Sequence, residues 1–251
     1  MRKFGLIGYP LGHSFSKSYF ADKFMAESIT DCFYDNYETQ DLGSLIDHIR
    51  NNSEFIGMNV TIPYKSEIIK YIDEVEDEAA EIGAVNVLKI SSDKRARCIK
   101  GYNTDIYGFR ESLLPHLHNK DVRNALILGT GGSSKAVAFV LKKLGIKTQY
   151  VSSSGKPESI SYSDINKEMI QNNLLIINTT PVGMFPAIQG KPEINYNHLT
   201  SSHILFDLIY NPEMTCFLRE GKERGCTIIG GLRMLQLQAE KSWEIWNNKM
   251  L

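Results

Sequence analysis

Lys65 and Asp105 are the two side chains whose settings point most directly to proton chemistry, and both stand among short polar groups. In Phe55-Ile56-Gly57-Met58-Asn59-Val60-Thr61-Ile62, strand alternation sends Ile56, Met58, Val60 and Ile62 to one face and Asn59 and Thr61 to the other. Two polar donors then point together at the C-terminal end of the strand, where α/β folds bind ligands. Pro63 fits the first position of a following helix, which puts Lys65 in its opening turn. The helix dipole disfavours a cation there, so a lysine that gives up a proton or meets an anion suits the place better than a structural one. Ser14 and Ser16, two apart, face one way in an extended segment, and Asn86 interrupts an apolar strand spanning 84–88. Asn103-Thr104-Asp105 precedes a helix that begins near Ile106, where Thr104 or Asp105 serves equally as a plain N-cap. Taken singly, each of these groups has an ordinary turn or capping role. Together they offer hydroxyl and amide donors, one lysine and one carboxylate, which is equipment to bind a polyhydroxylated carboxylic acid and move one proton.

A second constellation concerns phosphate. Gly129-Thr130-Gly131-Gly132-Ser133-Ser134 follows the apolar strand Ala-Leu-Ile-Leu and opens a helix carrying Ala136, Val137, Val140, Leu141 and Leu144, with Gly145 at C′. Gly129 allows the tight turn, and Gly131 lets the backbone approach a pyrophosphate held on the free N–H groups of the helix start. Ser134 stands where Gly or Ala is usual; a glycine turn without a ligand is the competing reading. At the end of the next strand an NAD site expects an acid for the ribose 2′-OH. The sequence there is Ser152-Ser153-Ser154-Gly155-Lys156, so a 2′-phosphate would meet three hydroxyls and a lysine, against the alternative of a solvated serine loop.

These groups need elements to hold them. Strand-length apolar runs alternate with helix-period segments, the pattern of an α/β chain with mostly parallel sheets. Strands are expected at 3–7, 31–37, 55–62, 84–90, 125–128, 148–152, 174–178, 204–208 and 227–229. A boundary falls near 102–121, followed by a strand, glycine turn, helix and strand that form a βαβ unit. The last stretch places Leu235, Ala239, Ser242 and Trp246 on one helical stripe. The expectation is two domains with a cleft between them: 1–104, with a helix at 232–251 packing back on it, and a Rossmann-like doubly wound domain at 105–231.

Composition narrows the partners. The 28 Lys+Arg against 29 Asp+Glu of the 251 residues give a formal charge of −1, without the basic surplus of a nucleic-acid binder or the basic face of a membrane-surface protein. No apolar run approaches the roughly 20 residues that cross a bilayer, and Pro10 and His13 end the first apolar stretch too soon for a signal peptide. Cys32, Cys98, Cys216 and Cys226 form no CxxC pair, so neither a metal site nor a disulfide framework is expected. A cytoplasmic protein is expected, and monomer and homodimer are both accommodated.

The blocks GYPLGHSFSKS, GMNVTIPYK, EIGAVNVL, GYNTDIYGF, LILGTGGSSKA, INTTPVGM, FDLIYNP with TCFL after it, and GGLRMLQLQA resemble, in order and spacing, the shikimate dehydrogenase family over nearly the whole chain. The resemblance implies NADP-dependent, reversible reduction of 3-dehydroshikimate to shikimate in the chorismate pathway that leads to aromatic amino acids. It casts Lys65 as the catalytic lysine and Asp105 as the carboxylate that pairs with it. It casts Ser14, Ser16, Asn59, Thr61, Asn86, Tyr210 and Gln238 as substrate-binding positions. Gly129, Gly131, Gly132 and Ser133 match the phosphate turn, and Ser152, Ser153, Ser154 and Lys156 replace the family's Asn-Arg-[Ser/Thr] clamp. Thr179, Thr180, Pro181 and Val182 belong to the loop near the nicotinamide ribose, while Leu208, Gly231 and Met234 match positions beside the nicotinamide. Val87 stands in place of the usual Thr, and Ile106 in place of a common Gly. Two other functions fit the same residues: a dehydrogenase for quinate or an aminated analogue, and a non-catalytic dinucleotide or metabolite sensor.

Overall fold

Runs of Val, Ile, Leu and Phe build two six-stranded sheets in the computed structural model, which describes residues 1–12, 15–92, 97–118, 120–155 and 158–248. The chain divides into two units, Met1–Thr104 with Ala239–Leu251, and Asp105–Gln238. The strands of the first are β1 (Arg2–Gly8), β2 (Cys32–Glu38), β3 (Phe55–Val60), β4 (Glu74–Val75), β5 (Val87–Ser92) and β6 (Arg97–Tyr102), ordered β2-β1-β3-β5-β6-β4. Those of the second are β7 (Asn124–Leu128), β8 (Lys147–Val151), β9 (Ser159–Ile160), β10 (Leu175–Asn178), β11 (Ile204–Asp207) and β12 (Thr227–Ile229), ordered β12-β11-β10-β7-β8-β9. The helices are α1 (Phe15–Ala26), α2 (Leu42–Asn51), α3 (Asp77–Ile82), α4 (Asp105–Leu113), α5 (Gly132–Lys143), α6 (Lys167–Asn172), α7 (Cys216–Glu223) and α8 (Gly231–Asn247).

The first sheet is mixed: β3 pairs antiparallel with β5, and β5 with β6, while β1 is parallel to both its neighbours. One core packs Ile46 and Ile49 of α2 against Met58, Val60 and Leu88. The other joins Phe20 and Phe24 of α1 to Phe4, Tyr34 and Trp246, the last from α8. The alternation expected for β3 fails at one place. The register against β1 slips between Lys3 and Phe4, so Ile56 packs with the Phe4 and Trp246 cluster instead of with Met58 and Val60. Gly57 is required there, because a Cβ on it would lie 2.2 Å from the Trp246 ring.

Every pairing in the second sheet is parallel. Its order, counted from β7, is 3-2-1-4-5-6, the doubly wound arrangement in which strand direction of travel reverses between the first and fourth strands. That switch point lies between β7 and β10, whose C-terminal ends are Leu128 and Asn178.

Candidate active site

In the first unit, Ser16, Asn59, Asn86 and Thr104, four of the polar groups singled out in the sequence, lie along one chain of hydrogen bonds. Asn59 shares a face of β3 with Gly57, the side against which Trp246 packs. Tyr34 Oη donates to Asn59 Oδ1 at 2.9 Å, and Asn59 Nδ2 donates to Ser242 Oγ at 3.0 Å. Ser16 hydrogen-bonds Tyr34; burial still pushes the phenol far above its ordinary range, so Tyr34 remains a neutral donor. Ser242 Oγ lies 3.4 Å from Thr104 Oγ1, which lies 3.2 Å from Asn86 Nδ2. Asn86 Oδ1 accepts the Thr104 N–H at 2.7 Å. Ser16, Tyr34, Asn59, Ser242, Thr104 and Asn86 are thus linked through the aromatic core. Tyr34 and Ser242 escaped notice as site residues, though a serine on the otherwise apolar stripe of Ala239 and Trp246 was a legible signal.

Three local expectations are corrected. Lys65 is not in the opening turn of a helix: residues 62–66 are turns, and a single 3₁₀ turn begins only at Glu67. The cause is Tyr64, which is buried, donates its hydroxyl to Thr39 O at 2.6 Å, and closes a turn by its N–H to Thr61 O at 2.9 Å. The dipole argument for Lys65 therefore lapses. Its carbonyl instead accepts the Val85 N–H at 2.7 Å, tying half-buried Lys65 to the residue before Asn86. Ser16 lies in the first turn of α1 and not in an extended segment. Asn86 precedes β5, which starts at Val87, because its side chain closes on Thr104. Thr61, half-buried, follows β3 directly, and Ser14 lies outside the described residues.

In the second unit, β7 delivers the glycine turn to the switch point. Gly129 has φ +104°, and a Cβ there would lie 2.8 Å from Thr179 Oγ1 and from Thr180 Cγ2, so conformation and space both require glycine. Thr179 donates its N–H and its hydroxyl to Leu128 O at 2.9 and 2.8 Å, joining the loops after β7 and β10. Gly131 is the extended N-cap of α5 and has no side chain to satisfy the helix start; a Cβ on it would meet nothing within 4 Å. The first-turn N–H groups, those of Gly132 and Ser133, thus have no side-chain cap. Ser134 is buried, donates to Gly131 O at 2.6 Å, and fits where glycine or alanine is usual. Gly145, at φ +74°, stands just past the end of α5 as expected.

Beyond β8, Ser152 is buried, and its hydroxyl is 2.8 Å from that of Ser154 and accepts the Ser154 N–H at 3.2 Å. Ser153, Ser154 and Gly155 are exposed. Ser152 thus shapes the loop, tying the Ser154 hydroxyl to itself, while Ser153 and Ser154 both lie at the surface; Lys156 lies outside the described residues. No acid stands at 152–155. The open glycine turn, the uncapped α5 and this acid-free loop fit a dinucleotide carrying a 2′-phosphate.

The loops after β10 and β11 lie close together. Thr180 donates to Asn178 Oδ1 through its N–H at 3.1 Å and its hydroxyl at 2.6 Å, and Pro181 and Val182 follow, exposed. Leu208 and Gly231 touch: a Cβ on Gly231 would lie 2.2 Å from Leu208 O. Asp207 is wholly buried, and desolvation pushes its carboxyl up to about 6. Asp105, the first residue of α4, is buried at the helix end that favours a carboxylate. Met234 and Gln238 sit one turn apart on α8 against α4, where a Cβ on Gly108 would lie 2.6 Å from Met234 O and 3.3 Å from Gln238 Cβ. Tyr210 is half-buried between β11 and α7. No helix is long and apolar enough to cross a membrane, and no three His, Cys, Asp or Glu side chains converge on a metal site, both among the described residues.

Known proteins resemble this chain over its length. Residues 6–88 match the family model of the shikimate dehydrogenase substrate binding domain. A shikimate dehydrogenase (NADP(+)) of Methanococcus aeolicus is 36% identical over 259 residues, covering 96% of this chain and 90% of that protein. A crystal structure of shikimate 5-dehydrogenase from Thermus thermophilus with NADP(H) and shikimate superposes with a TM-score of 0.83 at 27% identity, covering 100% of this chain and 95% of that one. Quinate dehydrogenase from Corynebacterium glutamicum, in complex with NAD, superposes with a TM-score of 0.86 at 27% identity, covering 98% and 93%.

Proposed function

The chain belongs to the shikimate dehydrogenase family, an oxidoreductase family, and from that premise we propose that it reduces 3-dehydroshikimate reversibly to shikimate with NADPH, in the biosynthesis of aromatic amino acids. The observation that carries the proposal is the acid-free serine loop beside an open, uncapped phosphate turn in a chain that keeps Lys65 and Asp105. When bound, NADPH supplies the hydride. Gly129, Gly131, Gly132 and Ser133 hold its pyrophosphate, and Ser153, Ser154 and Lys156 its 2′-phosphate, with Ser152 setting the loop. Residues 178–182, Leu208, Gly231 and Met234 shape the nicotinamide end. Ser14, Ser16, Asn59, Thr61, Asn86, Tyr210 and Gln238 bind the acid and its hydroxyls. Lys65 gives or relays a proton to the alkoxide that develops on the carbonyl oxygen, and Asp105 accepts a substrate hydroxyl. The domain assignment follows: 1–104, with the end of α8, for the acid, and the doubly wound unit for the dinucleotide.

The likeness to a quinate dehydrogenase favours one second reading, the same chemistry on quinate. Steady-state kcat/KM for shikimate, quinate and an aminated analogue, each with NADP and NAD, followed by the absorbance of the reduced nicotinamide, separates them. Shikimate with NADP is expected to lead the panel. Quinate in the lead, or NAD used as well as NADP, overturns that part of the proposal, and no turnover with any pair leaves the sensor reading in its place.

A further inference from the structure

Asp207 is a charged group with no access to water, yet neither the glycine turn nor the acid–base pair uses it. It ends β11 directly beside Asn178, which ends β10. Its Oδ1 accepts the Asn178 Nδ2–H at 3.1 Å and the Ile209 N–H at 3.1 Å. Its Oδ2 accepts the Thr215 hydroxyl at 2.6 Å. Thr215 is the N-cap of α7, and its oxygen in turn accepts the Leu218 N–H at 3.3 Å. With its amide nitrogen held this way, Asn178 turns its oxygen to both donors of Thr180 and so fixes the next loop. The loop on the other side is fixed as well: Ile209 donates its N–H to the carboxylate, and its carbonyl accepts the Gly231 N–H at 3.0 Å.

From this arrangement we infer that Asp207 is a positioning residue, one carboxylate that sets the two loops after β10 and β11 in the shape that receives the nicotinamide end of the dinucleotide. The inference rests on the proposed NADP site. All three of its partners are donors, and a carboxylate is acceptor-only at both oxygens, whereas an asparagine would turn one NH₂ against a donor. Burying a charge is costly unless it is fully hydrogen-bonded, and this one gathers its donors from three separate segments that converge beside the switch point.

The test uses the full-length Asp207→Asn and Thr215→Val variants, with thermal melts to confirm folding, calorimetric titration with NADP⁺, and KM values for both substrates. D207N is expected to weaken NADP⁺ binding by about tenfold or more and to raise the KM for NADP accordingly, leaving the KM for shikimate within about twofold. T215V, which removes the donor to Oδ2 together with the α7 cap but leaves the carboxylate and its other two donors, should move the same quantities in the same direction by less. Unchanged NADP⁺ affinity in folded D207N overturns the inference, as does an equal rise in both KM values. Should D207N fail to fold, T215V decides by the same criteria. A wild-type protein that does not bind NADP⁺ defeats the functional proposal itself; a wild type that binds it alongside variants that bind it equally well defeats only the role of Asp207.

Discussion

At the scale of single residues, two side chains lead to experiments with opposite signatures. General acid assistance is worth about 10²- to 10⁴-fold, so Lys65→Ala should lower kcat by a factor in that range while KM moves far less. Near-normal turnover in that variant removes the lysine from the mechanism. Asp207 is read through stability instead. Its folded carboxyl is raised from 3.8 to about 6, so the folded state holds a proton that the unfolded state has lost between those values. The stabilisation from this proton is fully present below about pH 3.8 and is lost as pH rises through about 6. At pH 7 the wild type therefore carries a penalty on the order of 2–3 kcal/mol that Asp207→Asn does not. Melting both proteins from pH 4.5 to 7.5 should show the difference in Tm shifting in the variant's favour by several degrees with rising pH; parallel curves would mean that the carboxyl titrates as it does in water. Neither expectation could be placed from sequence with equal ease. Lys65 announces itself in a short local pattern, whereas the donors to Asp207 include Asn178, 29 positions away, and only folding makes that carboxylate unusual.

At the scale of elements, the parts legible in the sequence are those whose signal is local. The glycine turn, α5 and Gly145 follow from strand, breaker and helix period within about twenty residues. The parts that escaped depend on distant partners. The slip of β3 against β1 reverses the side taken by Ile56, and no spacing within β3 reveals it. The segment after Pro63 carries helix-starting residues, but Tyr64 is drawn into the core and a turn forms instead. The edge strands β4 and β9, two residues each, are too short to show any period. Gly129→Ala tests the element whose logic is clearest. It forces a side chain into a left-handed conformation and against Thr179, whose hydroxyl is already committed to Leu128 O. The expected cost is about 1–3 kcal/mol in stability, with NADP⁺ affinity reduced at least tenfold by calorimetry. Retention of wild-type affinity would show that the turn tolerates a different path and does not set the phosphate site.

For the whole molecule, a formal charge of −1 leaves no general attraction for an anionic cofactor and an anionic acid, so attraction must be built locally. On the proposed reading, the α5 start, which has no side-chain cap, and Lys65 would supply it without a basic surface. Long-range closure of the chain is the other global device, and it was only half visible: the stripe of Ala239, Ser242 and Trp246 marks a buried face without saying what it meets. In the fold, α8 brings the end of the chain back to the first unit. Trp246 donates its indole N–H to Leu88 O at 3.0 Å and sits 4.9 Å from the Phe4 ring and 5.5 Å from the Phe20 ring, over the space that Gly57 leaves. One turn earlier, Ser242 is the donor-acceptor link between Asn59 and Thr104, so the same helix that fills the core also carries the polar chain. Trp246→Ala should therefore do two things. Emptying the ring's site and orphaning the Leu88 carbonyl should cost about 3–5 kcal/mol, lowering Tm by roughly 10 °C or more. Loosening α8 also frees Ser242, so the KM for the acid substrate should rise, while NADP⁺ affinity, assigned under the proposed function to the glycine turn and the switch point, should stay near wild type. A drop in Tm without any change in that KM would separate the aromatic packing from the polar chain and assign α8 a purely structural part.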